Sequence, residues 1–125
     1  MNLVDSSAWL EYFADTPLAN HFTAPLTNPE ALVVPTVVLY EVLKVVERET
    51  GENAALQVRA VMQKSIISTL DADLAAEAAG LSLKHGLPMA DAIILATANK
   101  HEATIWTLDA HFKQLPGVKY FKKQR

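Results

Sequence analysis

Four acidic side chains stand where apolar segments of this sequence begin or end: Asp5, Glu41, Asp91 and Asp109. Carboxylates gathered in one place hold hard divalent cations, so their positions deserve weighing against ordinary structural roles. Asp5 follows Leu3-Val4 and would make a helix cap, but Ser6 and Ser7 would cap equally well and leave it free. Glu41 lies in Thr36-Val-Val-Leu-Tyr-Glu41-Val-Leu-Lys44-Val-Val-Glu-Arg48, a helix apolar almost all round. A carboxylate there is costly to bury unless it is paired or bound to metal. Its competing role is a solvated stripe with Lys44 and Arg48, at i+3 and i+7. Asp91 sits among small apolar residues in Leu87-Pro-Met-Ala-Asp91-Ala-Ile-Ile-Leu-Ala, where a first-turn acid also suits the helix dipole. Asp109 ends Thr104-Ile-Trp-Thr107-Leu-Asp109; Thr107 would point to the same side of an extended chain and could bond a carboxylate. Asp71, by contrast, is best read as a cap, and Asp73, Glu77 and Glu102 as solvated.

The elements that must position these acids alternate between short strands and helices. Asn2 to Val4 reads as a strand, followed by a helix to about Phe13. Thr16-Pro17 opens a second helix, because Pro suits the first helical position. Pro25 and Pro29 mark a loop. Ala31 to Val34 is a buried strand closed by Pro35, and Thr36 caps a helix to about Glu49 that Gly51 ends. Asn53 caps another, to about Lys64. Ser65 to Leu70 is a strand, and Asp71 caps a helix stopped by Gly86. An Ala-rich helix spans Met89 to about His101, then a strand from Ala103 to Leu108, a turn around Phe112 and a last strand from Val118 to Phe121. Short apolar strands separated by helices predict an α/β fold with a parallel sheet covered on both faces. Ligands of such sheets bind beyond the carboxyl ends of the strands. Asp5 and Asp109 fall just past strand ends, while Glu41 and Asp91 fall in first turns of helices that start near the same edge. The four can therefore converge on one rim.

Length and composition bound the rest. With 125 residues, half of them apolar and 20 % charged, the chain forms one folded domain over residues 1–125. No apolar run spans a bilayer, and the N-terminus lacks a basic segment followed by an apolar stretch, so a cytoplasmic protein with no membrane is expected. The absence of cysteine removes disulfides and thiolate metal sites. A net charge of −3 speaks against coating nucleic acid through a basic surface, though not against holding phosphate through a cation. The one basic cluster, Lys122-Lys123-Gln124-Arg125 with Lys119 nearby, reads as a solvated tail. The four histidines show no ligand spacing such as HxxxH; His111 stands apart because it follows Asp109 so closely.

Taken together, these segments resemble the PIN-domain nucleases, and among them the VapC-type toxins of prokaryotic toxin–antitoxin pairs. Four segments carry the likeness: Val4-Asp5-Ser6-Ser7-Ala8-Trp9; Pro35 through Glu41-Val42; Leu87-Pro88 through Asp91-Ala-Ile-Ile-Leu-Ala-Thr-Ala; and Thr107-Leu-Asp109-Ala-His-Phe112. The likeness runs over nearly the whole chain in the family's order. It implies a three-layer α/β/α sandwich around a parallel sheet. It also implies a Mg²⁺-dependent endoribonuclease, Mn²⁺ being a plausible substitute, that hydrolyses RNA with water activated by the metal. By motif position Asp5, Glu41, Asp91 and Asp109 become the catalytic, metal-holding acids, with Ser6 and Thr107 in support. Members often carry a further acid or Asn shortly after the fourth; here Ala110, His111 and Phe112 follow, which bears on a second metal. Lys44 and Arg48 are candidates for holding substrate phosphates. The implied partners are RNA, a VapB-type antitoxin and a second copy of the chain. Two rival readings are a free-standing PIN nuclease of RNA processing and a receiver-like Mg²⁺-binding signalling module. A receiver needs adjacent acids after its first strand and a late Lys after a strand. Val4-Asp5-Ser6 supplies one acid, and no such Lys follows Ile105-Trp-Thr-Leu.

Overall fold

A computed structural model describes residues 1–123, which leaves Gln124 and Arg125 of the basic tail outside the described residues. Five parallel strands form the centre: β1 (Asn2–Val4), β2 (Val33–Pro35), β3 (Ile66–Ser68), β4 (Thr104–Thr107) and β5 (Val118–Tyr120). They group as β1-β4-β5 and β2-β3, and a single parallel bridge between Asn2 and Leu32 joins the groups into the order β3-β2-β1-β4-β5. Register in the larger group sets Asn2 against Thr104 and Val4 against Trp106; Ile105 lies against Val118.

Successive side chains of a strand point to opposite faces, so Leu3 beside Val4 and Val33 beside Val34 report on both sides of the sheet. All four are fully buried, which requires helical layers above and below. Six helices supply them: α1 (Ser6–Phe13), the one-turn α2 (Thr23–Leu26), α3 (Thr36–Thr50), α4 (Glu52–Met62), α5 (Ala72–His85) and α6 (Met89–His101). The expected α/β/α sandwich with a central parallel sheet is the observed fold. Helix α6 is its interior member, buried without a break from Asp91 to Ala98. Its alanines allow close approach of α5, α3 and the sheet, whose strands β2 and β4 it touches.

Several boundaries differ from the sequence reading for local reasons. The helix expected from Thr16 does not form. The Thr16 hydroxyl is spent on the Glu11 carboxylate, and the chain proceeds through a 3₁₀ turn, Ala19–Phe22, into α2. Pro25, without an N–H, is tolerated there only because α2 has barely begun. Helices α3 and α4 start without a side-chain cap, from Pro35 and Gly51 and not from Thr36 and Asn53. Asp71 caps α5 as expected, and Gly86 closes it in the left-handed conformation at φ 67°. Strands are shorter than the apolar runs containing them. Trp9, Leu18 and Phe22 are core residues, whereas Leu10 and Phe13 are partly buried on the flank of an apolar groove shared with Val45, Val46 and Val58.

Candidate active site

Residue Asp5 emerges from β1 at the end of its pairing with β4, its own N–H donating to the Trp106 carbonyl at 3.1 Å. It is nevertheless the cap of α1: Ala8 N–H donates to Asp5 Oδ1 at 3.3 Å. The serines do not take that task. Instead Ser7 Oγ donates to Asp5 Oδ1 at 2.6 Å and accepts from the Leu108 N–H at 3.2 Å, tying α1 to the end of β4. The Thr107 hydroxyl donates to the other oxygen, Asp5 Oδ2, and accepts the Asp109 N–H at 2.8 Å. The carboxylate is thus buried, fixed at both oxygens and surrounded by donors. Burial still dominates and raises its pKa above the ordinary 3.8, while the bonds from Ser7, Thr107 and Ala8 oppose the rise.

The other acids face the same place. Glu41, from the second turn of α3, is pushed above the ordinary 4.5, first by burial and then by the charges of Asp5, Asp91 and Asp109; the Ser6 hydroxyl relieves part of this. Its Oε1 is buried without a hydrogen-bond partner. Asp91, in the first turn of α6, is raised by burial and by Asp109. Asp109 caps a 3₁₀ turn, Ala110–Phe112, by accepting the His111 N–H at 2.9 Å. The same turn swings the His111 ring inward, so that Nδ1 lies 2.8 Å from Asp91 Oδ2 and 3.2 Å from Asp109 Oδ1. The bond to Asp91 and the charges of both aspartates raise the imidazole pKa. Asp91, Asp109 and His111 together offer three donor atoms within 4.8 Å of one another.

All four sequence-nominated acids therefore meet at the carboxyl edge of the sheet, with Ser6 and Thr107 beside them. Lys44 and Arg48 are oriented otherwise. Lys44 lies over the Tyr40 ring at 5.8 Å beside a cleft lined from α3 and α4, and Arg48 pairs with Glu49 at 3.0 Å. Among the described residues neither forms an ion pair or hydrogen bond with the acids. Two contributors escaped the sequence reading. Ser7 gave no signal beyond capping. His111 gave one, its nearness to Asp109, but nothing local revealed that it would reach Asp91, twenty positions earlier.

A group of oxygen donors at the mouth of a parallel sheet, with one buried oxygen unpartnered and like charges crowding each other, is complementary to a hard cation. The sequence matches the PIN domain family over residues 3–118, and the chain belongs to that family. Its fold is the one found in the toxins of VapBC pairs. The toxin–antitoxin complex from Klebsiella pneumoniae superimposes with a TM-score of 0.82 at 23 % identity, over 95 % of this chain and 96 % of that one. VapC20 of Mycobacterium tuberculosis, a toxin that cleaves the sarcin–ricin loop, gives 0.76 at 21 %, over 93 % and 95 %. VapBC2 from Rickettsia felis, bound to a promoter DNA fragment, gives 0.73 at 16 %, over 97 % and 98 %. No curated protein matches the sequence. Membership of the PIN family sets aside the receiver-like reading.

Proposed function

We propose that this protein is a metal-dependent endoribonuclease acting as the toxin of a VapBC-type pair, with Asp5, Glu41, Asp91 and Asp109 as its catalytic acids. The observation that carries the reading is the convergence of four carboxylates on one rim while Glu41 Oε1 stays buried and unpaired. A cation bound among these carboxylates would offset both the unpaired oxygen and the crowding of like charges. The carboxylate oxygens fit a hard divalent cation, Mg²⁺ or Mn²⁺. When bound, a divalent cation polarises the scissile phosphodiester and activates the attacking water.

The protein's own contribution is placement. Asp91 and Asp109 present oxygens from two different elements, and Glu41 brings its free oxygen from a third. Asp5, held at both oxygens by Ser7, Ala8 and Thr107, cannot rotate away and so fixes the orientation of whatever it contacts. No side chain is required as a nucleophile, in keeping with a sequence that lacks cysteine. A VapB-type antitoxin is the partner that the VapBC complexes among the fold's relatives suggest, a second copy of the chain is a further partner of this reading, and the cytoplasm is the compartment where RNA would be met. The apolar groove of Leu10, Phe13, Val45, Val46 and Val58 offers surface for such assembly.

Mapping RNA 5′ ends after expression of the wild type beside Asp5→Asn tests the reading. New 5′-phosphate ends at defined sites, lost in the variant and in EDTA, are expected. Products carrying a 2′,3′-cyclic phosphate that persist in EDTA would refute it.

A further inference from the structure

Resting on that reading of the site, we infer that His111 is itself a metal ligand, so that the centre has a mixed carboxylate–imidazole donor set and selects Mn²⁺ over Mg²⁺. The argument is geometric. Neighbouring donors on an octahedral ion with bonds of 2.0–2.2 Å stand about 3 Å apart. His111 Nδ1 stands 2.8 Å from Asp91 Oδ2 and 3.2 Å from Asp109 Oδ1, the spacing of neighbouring donors, and donor atoms of the three residues all lie within 4.8 Å of one another. An ion held by these donors would take the place of the proton now shared between His111 Nδ1 and Asp91 Oδ2.

The ring is held where this requires. The His111 N–H bonds the Asp109 carboxylate at 2.9 Å, and the next residue, Phe112, is fully buried and anchors the turn. Two contacts thus fix the backbone on either side of the imidazole, while the side chain stays 58 % exposed and open to an ion arriving from solvent. Exchanging an oxygen for a nitrogen donor shifts preference away from Mg²⁺, a strictly oxygen-seeking ion, and toward first-row transition ions, among which Mn²⁺ still accepts the remaining carboxylates.

Calorimetric titration of Mn²⁺ and Mg²⁺ into the wild type, His111→Ala and Asp91→Asn, with pulsed EPR on the Mn²⁺-loaded samples, tests this. The wild type is expected to bind Mn²⁺ more tightly and to show ¹⁴N modulation from a directly bound imidazole. His111→Ala should lose the modulation and weaken Mn²⁺ at least about tenfold, while Mg²⁺ affinity changes by less than about threefold. Mn²⁺ binding without nitrogen coupling, or His111→Ala binding Mn²⁺ as tightly as the wild type or more so, overturns the inference and leaves the nuclease reading standing. A wild type that binds neither ion, indistinguishable from Asp91→Asn, overturns both.

Discussion

Replacing Glu41 by Gln should stabilise the metal-free protein and destabilise the loaded one relative to wild type. The carboxylate carries one buried oxygen without a partner, and the charges of Asp5, Asp91 and Asp109 act on it together. Glutamine keeps a polar atom at that position but carries no charge, so the substitution relieves the burial of an ionised group and the crowding of like charges. Glu41 is only partly buried, so solvent screening reduces what neutralising it returns to about 1 kcal/mol. For a chain of this length that is a rise of roughly 3–5 °C in Tm. The gain has a defined pH window. The folded-state pKa lies above the ordinary 4.5, so the cost is present above the folded value and vanishes as pH falls toward 4.5. At saturating metal the order reverses, because a ligand at a hundredfold excess over Kd adds about 2.7 kcal/mol and the variant forfeits part of that. Differential scanning fluorimetry at neutral and acidic pH, in EDTA and in Mn²⁺, reads all of these. A variant that melts below wild type in EDTA at neutral pH would refute the reasoning, since Glu41 would then be supporting the fold.

Three further outcomes are expected. Thr107→Val removes the donor to Asp5 Oδ2 and the acceptor of the Asp109 N–H, so chemical denaturation should show a loss of about 1–3 kcal/mol; unchanged stability would mean that those bonds are made by water instead. Metal-free thermal stability should rise as pH is lowered from above neutrality. Asp5, Glu41 and Asp91 all have raised folded-state pKa values, and His111, also raised, adds stability that is lost as pH climbs through its folded value. Metal affinity should fall over the same descent, because protons compete for the same oxygens, and calorimetry at two pH values checks the opposed trends.

Much of this was legible in the residues. The paired Leu3-Val4 and Val33-Val34 announce strands covered on both faces, and Asp71 with Gly86 bracket α5 because cap chemistry is local. The four acids were readable because each interrupts an apolar segment, Asp5, Asp91 and Asp109 near element ends and Glu41 within α3. What failed to show was set by partners far away in sequence. Ser7 looked interchangeable with Ser6 as a cap until Leu108 arrived at its oxygen, and Asp5 looked free to leave the cap when in fact it caps α1 and receives Thr107 at once. The Thr16 helix failed because its hydroxyl found Glu11, a competition that propensity does not register.

The pairing of β1 with β4 has a consequence for synthesis. Asp5 leaves the ribosome early, but its carboxylate is fixed only when Thr107 docks against it, and Asp109 takes position through that same hydroxyl. Until then β1 has only its bridge to Leu32, beside β2, to hold it. A nascent chain therefore carries three of its acids outside the ribosome with no assembled centre, and the proposed site is complete only once β4 pairs with β1. For a protein whose proposed activity is to cut RNA, that order of events withholds the assembled site until β1 and β4 are paired.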